Sequence, residues 1–297
     1  MLPQAGPGGG KVIDHDRLMA MPIPAQEQAY GWKDCALYAL GLGVGLDPTC
    51  ADDLSFLLED RIRAMPTMPA VLGRPALVKL DTGIDWIRTV HGEQGLTLHR
   101  PLPPKARIRA QSRFTQVIDK GEGRGALFFV ERQLSDAETG ELLATVRQTL
   151  FARANGGFGG PTSAQPAAHV LPDRAPDMTQ DSPSSPQAAL IYRLSGDMNP
   201  LHADPTVAAR AGFDRPILHG LASYGMAGRA ILRAHARNDP SRLLALDARF
   251  TAPAWPGETF RTEMWHDGAV IGFRVRCVER DVVVLDNGRA EVSDTPR

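Results

Sequence analysis

Residues 187–196 read QAALIYRLSG, and this short stretch shows how the chain is organised. Its apolar residues recur at helical spacing and its last residue is a glycine, so the segment predicts a short helix that ends at Gly196. A second stretch, Trp32–Gly41 (WKDCALYALG), shares these features. The two tyrosines, Tyr38 and Tyr192, lie 154 residues apart. The chain therefore contains two similar helix ends, one in each half.

Proline turns repeat at nearly the same spacing. Pro101 and Pro104 in the sequence RPLPP correspond to Pro253 and Pro256 in APAWP, and each pair is 152 residues apart. Two landmarks with nearly equal offsets indicate an internal duplication. Chance similarity of helix ends and proline turns is the alternative, because short matches are common.

Strand patterns follow each proline turn. Alternation of apolar residues, with many Val, Ile, Phe and Thr, predicts strands at Ala106–Val117, Gly125–Leu134, Leu142–Ala152, Leu243–Phe250, Glu258–Trp265, Val270–Val278 and Val282–Val292. Hairpin turns are predicted at Asp119-Lys120-Gly121, Thr139-Gly140, Asp267-Gly268 and Asp286-Asn287-Gly288. Leu221–Ala236 (LASYGMAGRAILRAHA) has the pattern of an amphipathic helix. Each half is thus predicted to be a helix against an antiparallel sheet, an α+β fold present twice.

A change of composition divides the two halves. Residues 155–187 begin NGGFGG and carry prolines at 161, 166, 172, 176, 183 and 186. Because proline disfavours helices and removes donors from a sheet, this segment predicts a solvated coil. We expect a linker at 155–187 between an N-terminal half, 1–154, and a C-terminal half, 188–297.

Composition excludes several classes of protein. The 297 residues are 43% hydrophobic, and 33 basic against 34 acidic side chains give a net charge of −1, which argues against a nucleic-acid binder. Cys35, Cys50 and Cys277 are too few for a disulfide framework or a four-cysteine zinc site, which fits a reducing compartment. The longest apolar stretch, Ala36–Leu46, is shorter than the roughly 20 residues of a membrane span. With no signal-peptide or peroxisomal pattern at the termini, we expect a cytoplasmic protein that binds no membrane.

The densest polar cluster lies in residues 194–205, LSGDMNPLHADP. Gly196 ends the preceding helix and Pro200 stops a new one, so Asp197, Asn199 and His202 fall on one short turn. A carboxylate, an amide and an imidazole in this arrangement can converge on one water molecule. Imidazole and a desolvated carboxylate can both transfer protons near neutral pH.

Other interpretations of this cluster remain open. A metal site formed by Asp197, His202 and His219 is one, and a purely structural turn capped by Asp197 is another. A calcium loop is excluded, because Leu201 occupies the third ligand position. No nucleophile motif is present, since residues 220–225 (GLASYG) miss the G-x-S-x-G spacing by one residue.

Two glycine-containing segments are further candidates. Residues 213–221 (FDRPILHGL) place Gly220 at the start of the amphipathic helix, where free backbone N–H groups can hold negative charge on a carbonyl oxygen. A plain glycine cap is the alternative. Residues 120–125 (KGEGRG) form either a flexible hairpin tip or a cationic lip that binds phosphate through Lys120.

Residues 192–202 (YRLSGDMNPLH), followed by 212–220 (GFDRPILHG), closely resemble the hydratase 2 motif of (R)-specific 2-enoyl-CoA hydratases, also called MaoC-like dehydratases. The resemblance extends along nearly the whole chain, through WKD at 32–34, LYALG at 37–41, DLSF at 53–56, HGEQ at 91–94, DKG at 119–121 and GGFGG at 156–160. Together these motifs resemble the two-hot-dog hydratase 2 domain of the peroxisomal multifunctional enzyme. The resemblance implies a double hot-dog fold in which only the second half keeps the catalytic loop. The first half, with GLGVGLDP at 41–48 and no Asn or His, would accommodate the acyl chain.

The resemblance also implies an activity and roles for individual residues. The reaction is the reversible hydration of (2E)-enoyl-CoA to (3R)-3-hydroxyacyl-CoA in fatty-acyl-CoA metabolism, without a metal or redox cofactor. Asp197 and His202 would form the acid/base pair around a water that Asn199 orients, and the Gly220 N–H would stabilise the oxyanion. Residues expected to contact the CoA-linked substrate are His91, Gly92, Lys120 and Phe250.

Some expectations from the resemblance are less specific. Glu59 aligns with a family glutamate that is thought to matter for activity, and Met198 replaces a tryptophan that is common after the aspartate. A homodimer is expected, because family members are often dimers. A dehydratase for a bulky, steroid-like acyl-CoA and a non-catalytic hot-dog subunit that binds acyl-CoA are the two alternatives to the hydratase.

Overall fold

The computed structural model describes residues 13–296. Its strands are β1 (Gln26–Tyr30), β2 (Thr89–Leu98), β3 (Ala106–Asp119), β4 (Ala126–Asp136), β5 (Leu142–Ala152), β6 (Met178–Pro183), β7 (Leu243–Phe250), β8 (Thr259–Asp267), β9 (Val270–Cys277) and β10 (Val282–Val292). Its α-helices are α1 (His15–Met19), α2 (Trp32–Gly41), α3 (Ala51–Leu54), α4 (Ala188–Tyr192), α5 (Pro205–Arg210) and α6 (Gly220–His235).

The strands form one antiparallel sheet whose order repeats. The order is β1-β3-β4-β5-β2-β7-β10-β9-β8-β6, so β2 and β7 lie side by side at the centre. From there each half runs outward through its last, fourth, third and first strand in the same sequence. This repeat of strand order is what an internal duplication predicts. The predicted α+β double hot-dog fold is confirmed.

The long helix α6 is the core of the C-terminal half. Most of its residues from Leu221 to Leu232 are buried, and it packs against β6, β7, β8 and β10 and also contacts β2. The Tyr224 hydroxyl donates to the Leu246 carbonyl at 2.7 Å, which anchors the helix to the central strand β7. This bond fixes α6 against β7 one turn after the N-terminus of the helix.

The two tyrosine-containing helices meet across the halves. α2 packs mainly against α4, and the rings of Tyr38 and Tyr192 have centroids 5.7 Å apart. Gly41 permits this close approach, because a Cβ atom there would lie only 3.1 Å from Tyr192 Cα. The residues that suggested the duplication therefore touch each other in the fold.

A buried ion pair joins α6 to the glycine-rich segment after α2. Arg229 Nη2 donates to Asp53 Oδ2 at 2.6 Å, and both side chains are buried. Arg229 Nη1 also donates to the Gly43 carbonyl at 2.9 Å, and Asp53 Oδ2 accepts from the Gly45 amide at 3.0 Å. Burial lowers the pKa of Arg229, and the charge and hydrogen bond of Asp53 act against that shift. The network fixes the segment after α2 in the N-terminal half against the central helix of the C-terminal half.

Most predicted elements are present, and two predictions are wrong. The 155–187 segment is not all coil, because β6 (Met178–Pro183) pairs with β8. β6 is the outermost strand, with its proline at the end, so the lost backbone donor disrupts no ladder. Asp286-Asn287-Gly288 is not a hairpin turn but a bulge within β10, where Asn287 has φ 53°.

Other boundaries differ only in detail. The helix predicted over 187–196 is α4 followed by a 3-10 turn, Arg193–Ser195, that ends at Gly196 with φ 118°. The three other predicted hairpin turns connect β3 to β4, β4 to β5 and β8 to β9. All three cysteines are free thiols. Within residues 13–296, no helix has both the length and the apolar character needed to cross a bilayer.

Candidate active site

Asp197, Asn199 and His202 lie on the short turn that the sequence predicts after α4. Pro200 opens a 3-10 turn, Pro200–His202, and Asn199 caps it by accepting from the Leu201 amide at 3.1 Å. Asp197 Oδ1 in turn accepts from the Asn199 amide at 3.3 Å. Asn199 therefore builds the turn through its amide oxygen, and its predicted role in orienting water stays a prediction.

His202 is held in one tautomer. Its Nδ1 lies 2.9 Å from the Ile217 carbonyl oxygen, which can only accept, so Nδ1 carries the proton in the neutral ring. Nε2 is then an unprotonated nitrogen that can accept a proton. Burial lowers the pKa of His202 below its ordinary value of 6.5, although the Ile217 bond and Asp197 oppose the shift. At neutral pH the imidazole is a base.

His219 supports this arrangement from the N-cap position of α6. Its ring stacks on the His202 ring with centroids 3.8 Å apart, and its Nε2 donates to the Asp197 carbonyl at 3.1 Å. Burial, with the charge of His202, lowers its pKa to about 4, so the ring is neutral. Its Nδ1 is buried and makes no hydrogen bond within residues 13–296. His219 thus connects the turn of Asp197 and His202 to α6.

The metal interpretation gains no support from the arrangement of these side chains. His202 and His219 each use one ring nitrogen for a backbone carbonyl. Over the part of the chain that the structure describes, no group of three or more His, Cys, Asp or Glu side chains is arranged to hold a metal ion.

Arg74, which sequence reasoning missed, contacts the carboxylate of Asp197. Its Nη1 donates to Asp197 Oδ2 at 2.7 Å. Burial alone raises the pKa of Asp197, but the charge and hydrogen bond of Arg74, with smaller effects of His219 and His202, bring it below 3.8. Asp197 is therefore an anion beside a neutral imidazole.

Gly220 is the first residue of α6, and its amide has no partner inside the helix. The residue is exposed, although the helix behind it is buried. A Cβ atom at this position would lie 2.9 Å from Cε1 of Phe250, so glycine keeps the ring close to the amide. The geometry fits a donor for a developing oxyanion.

The predicted substrate-contact residues line one end of the sheet beside Gly220. The ring of Phe250 lies 4.8 Å from the ring of His91, whose Nε2 is buried and has no hydrogen bond among the described residues. Burial, with the charge of Arg74, lowers the pKa of His91 to about 4. The ring is therefore neutral at neutral pH and packs beside Phe250.

Gly92 and Lys120 lie close by. Gly92 falls at the register shift between β2 and β5, which makes it a bulge residue. Lys120 Nζ lies 5.1 Å from the centroid of the Phe151 ring, and Phe151 pairs with Val90, next to His91. The turn that carries Lys120 therefore lies near the same end of β2 as His91, and the predicted contact of Lys120 with the substrate stays a prediction.

Two residues that the sequence singled out have exposed side chains. Glu59 sits in an exposed turn after α3 and makes no hydrogen bond or ion pair with Asp197, His202 or Arg74 in the described structure. Its accessory role stays a prediction. Met198 is 57% exposed, so this side chain projects outward from the turn.

Comparison with known proteins adds to this geometry. The family described as "MaoC like domain" matches residues 167–288, and "MFE-2 hydratase 2 N-terminal domain" matches residues 29–154. Enoyl-CoA hydratase ChsH3 of Mycobacterium tuberculosis is 38% identical over 282 residues, which cover 93% of this chain and 97% of that protein.

This chain belongs to the MaoC-like hydratase 2 family. Peroxisomal enoyl-CoA hydratase 2 of Arabidopsis thaliana is 35% identical, over 92% of this chain and 94% of that protein. The crystal structure of a MaoC-like dehydratase from Phytophthora capsici superposes with a TM-score of 0.82 at 30% identity, over 94% of this chain and 99% of that chain. The family assignment makes the chain an enzyme of the hydro-lyase class.

Proposed function

We propose that this member of the family catalyses the reversible hydration of (2E)-enoyl-CoA to (3R)-3-hydroxyacyl-CoA. The observation that supports it most directly is that an ionised Asp197 and a His202 whose free nitrogen is Nε2 lie on one short turn, which His219 joins to the N-terminus of α6. The amide of Gly220, the first residue of that helix, has no partner within the helix. A base pair and an oxyanion donor on adjoining elements are what addition of water to a conjugated thioester requires.

The proposed chemistry begins with a water held between Asp197 and His202. One of these bases takes a proton as the water oxygen bonds to C3 of the enoyl thioester. The electron pair of the C2–C3 double bond moves towards the carbonyl, and the Gly220 N–H stabilises the charge on the thioester oxygen. The protonated base then returns the proton to C2, so both groups regain their starting state. Dehydration follows the same steps in reverse.

The substrate is proposed to enter along the end of the sheet described above. Lys120 is proposed to meet the anionic CoA part, and the position of its turn near the same end of β2 as His91 supports this role. Phe250 and His91 give an apolar boundary next to the thioester, and the N-terminal half would hold the acyl chain. A homodimer and a cytoplasmic location stay predictions from the sequence.

A direct assay tests the proposal. We expect a medium-chain trans-2-enoyl-CoA to lose its conjugated thioester absorbance in the presence of the protein, with the (3R) alcohol as the product in chiral analysis. The (3S) product would contradict the stereochemical assignment. Binding of acyl-CoA without turnover of medium-chain or bulky enoyl-CoA substrates would contradict catalysis and support the binding-subunit alternative.

The charge states of the two bases predict the pH dependence. Both bases must be unprotonated, so activity is present above their pKa values and is lost as the pH falls through them. Because burial lowers the pKa of His202 from 6.5 and Asp197 titrates below 3.8, the acidic limb of kcat/KM should have its midpoint below pH 6.5. Steady-state rates between about pH 4 and 9 measure it, with circular dichroism at each pH as the control for folding. A midpoint above 6.5 would contradict the assignment of neutral His202 as a base.

A further inference from the structure

We propose that Arg74 is a positioning residue of this active site: its guanidinium, supplied by the N-terminal half, fixes the Asp197 carboxylate and keeps it charged. The inference rests on the proposed function, because it assigns a role in the same acid/base pair. Arg74 and Asp197 are 123 residues apart in the chain, and Arg74 Nη1 lies 2.7 Å from Asp197 Oδ2. Their side chains are only 34% and 20% exposed, so water screens the pair less than it screens a surface ion pair.

The backbone before Arg74 is held in a defined conformation. Gly73 has φ 56°, a left-handed conformation that favours glycine, and its amide donates to Gln28 Oε1 at 2.8 Å. A Cβ atom on Gly73 would lie 2.4 Å from the Cβ of Ala110, so the segment packs directly on β3. The direction in which Arg74 leaves the N-terminal half is therefore fixed by packing.

A second arginine supports the same segment. Arg132, on β4, is buried, and its Nη2 donates to the carbonyls of Pro69 and Ala70 at 3.1 and 2.9 Å. Within residues 13–296 it has no ion pair with a carboxylate, and burial lowers its pKa to about 9. A buried guanidinium without a counter-ion is unfavourable, so its bonds to these carbonyls are best understood as holding the turn that leads to Arg74.

Charged and titratable groups face Asp197 from several elements. They are Arg74 from the segment after the Met68–Ala70 turn, His202 from the catalytic turn, His219 from the N-cap of α6, His91 from β2 and Tyr192 from α4. Arg132 on β4 acts on Arg74 and His91. At neutral pH the three histidines are uncharged, so Arg74 is the positive charge in contact with the carboxylate. Its charge also lowers the pKa of His202.

The sign of the effect on activity follows. Replacing Arg74 by glutamine removes a charge that lowers the pKa of both Asp197 and His202. Both bases then bind protons at higher pH, so the acidic limb of kcat/KM should move to higher pH. The pKa of Asp197 should rise more than that of His202, because Arg74 contacts Asp197 directly. Arg74→Lys keeps the charge, so the acidic limb of kcat/KM should stay near its wild-type midpoint. The poorer fit of lysine can still lower the maximal kcat/KM.

The experiment compares pH profiles of kcat/KM for wild type, Arg74→Gln and Arg74→Lys. Arg261→Gln is the matched control, because Arg261 forms an equivalent ion pair with Asp181 at 2.7 Å on the surface of the sheet. The control should keep the wild-type profile. The proposal would be overturned if Arg74→Gln lowered the pH-independent value of kcat/KM but left the midpoint of the acidic limb unchanged. A merely structural role changes the amount of active enzyme, but it does not change the pH at which the bases titrate.

A measurement without turnover separates this inference from the proposed function. The carboxyl carbon of Asp197 can be followed by NMR in protein labelled at the aspartate carboxyl groups, with Asp197→Asn identifying the signal. We expect this signal to titrate at higher pH in Arg74→Gln than in wild type. If the wild type hydrates no enoyl-CoA but the signal shifts as expected, the proposed function fails, whereas the effect of Arg74 on the titration of Asp197, which we call the coupling, is confirmed. An unchanged titration overturns the coupling, whatever the activity.

Discussion

Replacing Asp197 by asparagine, or His202 by alanine, should lower kcat for enoyl-CoA hydration by about 10²- to 10⁴-fold, the range in which general acid–base groups contribute. The asparagine amide keeps the size of the carboxylate and an oxygen for the Asn199 amide, but it cannot take a proton from water. Alanine at position 202 removes the whole imidazole ring, including Nε2, the nitrogen that can accept a proton. Steady-state kinetics with one enoyl-CoA substrate measures both losses.

Asp204→Asn is the matched control for this loss. Asp204 lies on the same segment and caps α5, accepting from the Thr206 amide at 2.8 Å. Asparagine caps helices about as well as aspartate, so activity should stay near wild type. The alternative in which the turn is purely structural predicts a different outcome, namely lower thermal stability of Asp197→Asn and His202→Ala. Folded variants that keep activity within about tenfold of wild type would contradict the acid/base assignment.

The regular strands could be predicted because their pattern is local. β5, β7 and β10 have the bounds that alternation and β-branched residues predict. Burial alternates only in part, because four consecutive residues of β5 are buried, so the content of β-branched and aromatic residues contributes much of the signal. The turn residues between these strands predict the antiparallel hairpins. The fold class could therefore be predicted from the sequence, whereas the order of the strands is known only from the structure.

β2 is a strand that the local sequence pattern did not predict. The strand reads TVHGEQGLTL, and its two glycines and polar residues hide the alternation, although it lies at the centre of the sheet. Gly95 is required by its neighbours, because a Cβ atom there would lie 2.4 Å from Asp247 Oδ1 and 3.1 Å from Arg147 Nε. Packing between strands distant in sequence determines this residue, and no local pattern records such packing.

The residues of the candidate site also divide into those that a local sequence pattern predicts and those that it does not. Asp197, Asn199 and His202 could be predicted, because Gly196 and Pro200 confine them to one turn. His91 and Phe250 came only from family resemblance, since their ring contact depends on the pairing of β2 with β7. Arg74 could not be found by either route. It follows a glycine in a segment without periodicity, and its partner is supplied by the other half of the chain.

Gly220→Pro should lower kcat by about 10²- to 10³-fold more than Gly220→Ala does, the range measured for loss of one oxyanion donor. Proline removes the N–H, yet it is favoured at the first position of a helix, where that N–H has no helical partner. His219 has ψ 131°, which suits a residue before proline. The substitution therefore removes the proposed donor with little effect on α6. Kinetics of the two variants side by side gives the ratio.

Alanine is the necessary comparison, because both substitutions add a Cβ atom against Phe250, 2.9 Å from Cε1 of the ring. Steric displacement of that ring should lower activity in both variants, and the difference between them isolates the N–H. Equal kcat values in folded proteins would show that the amide does not bind the oxyanion, which would leave Gly220 as a simple requirement for space. A loss confined to the proline variant, with KM little changed, would place the contribution in the transition state, where charge on the thioester oxygen is greatest.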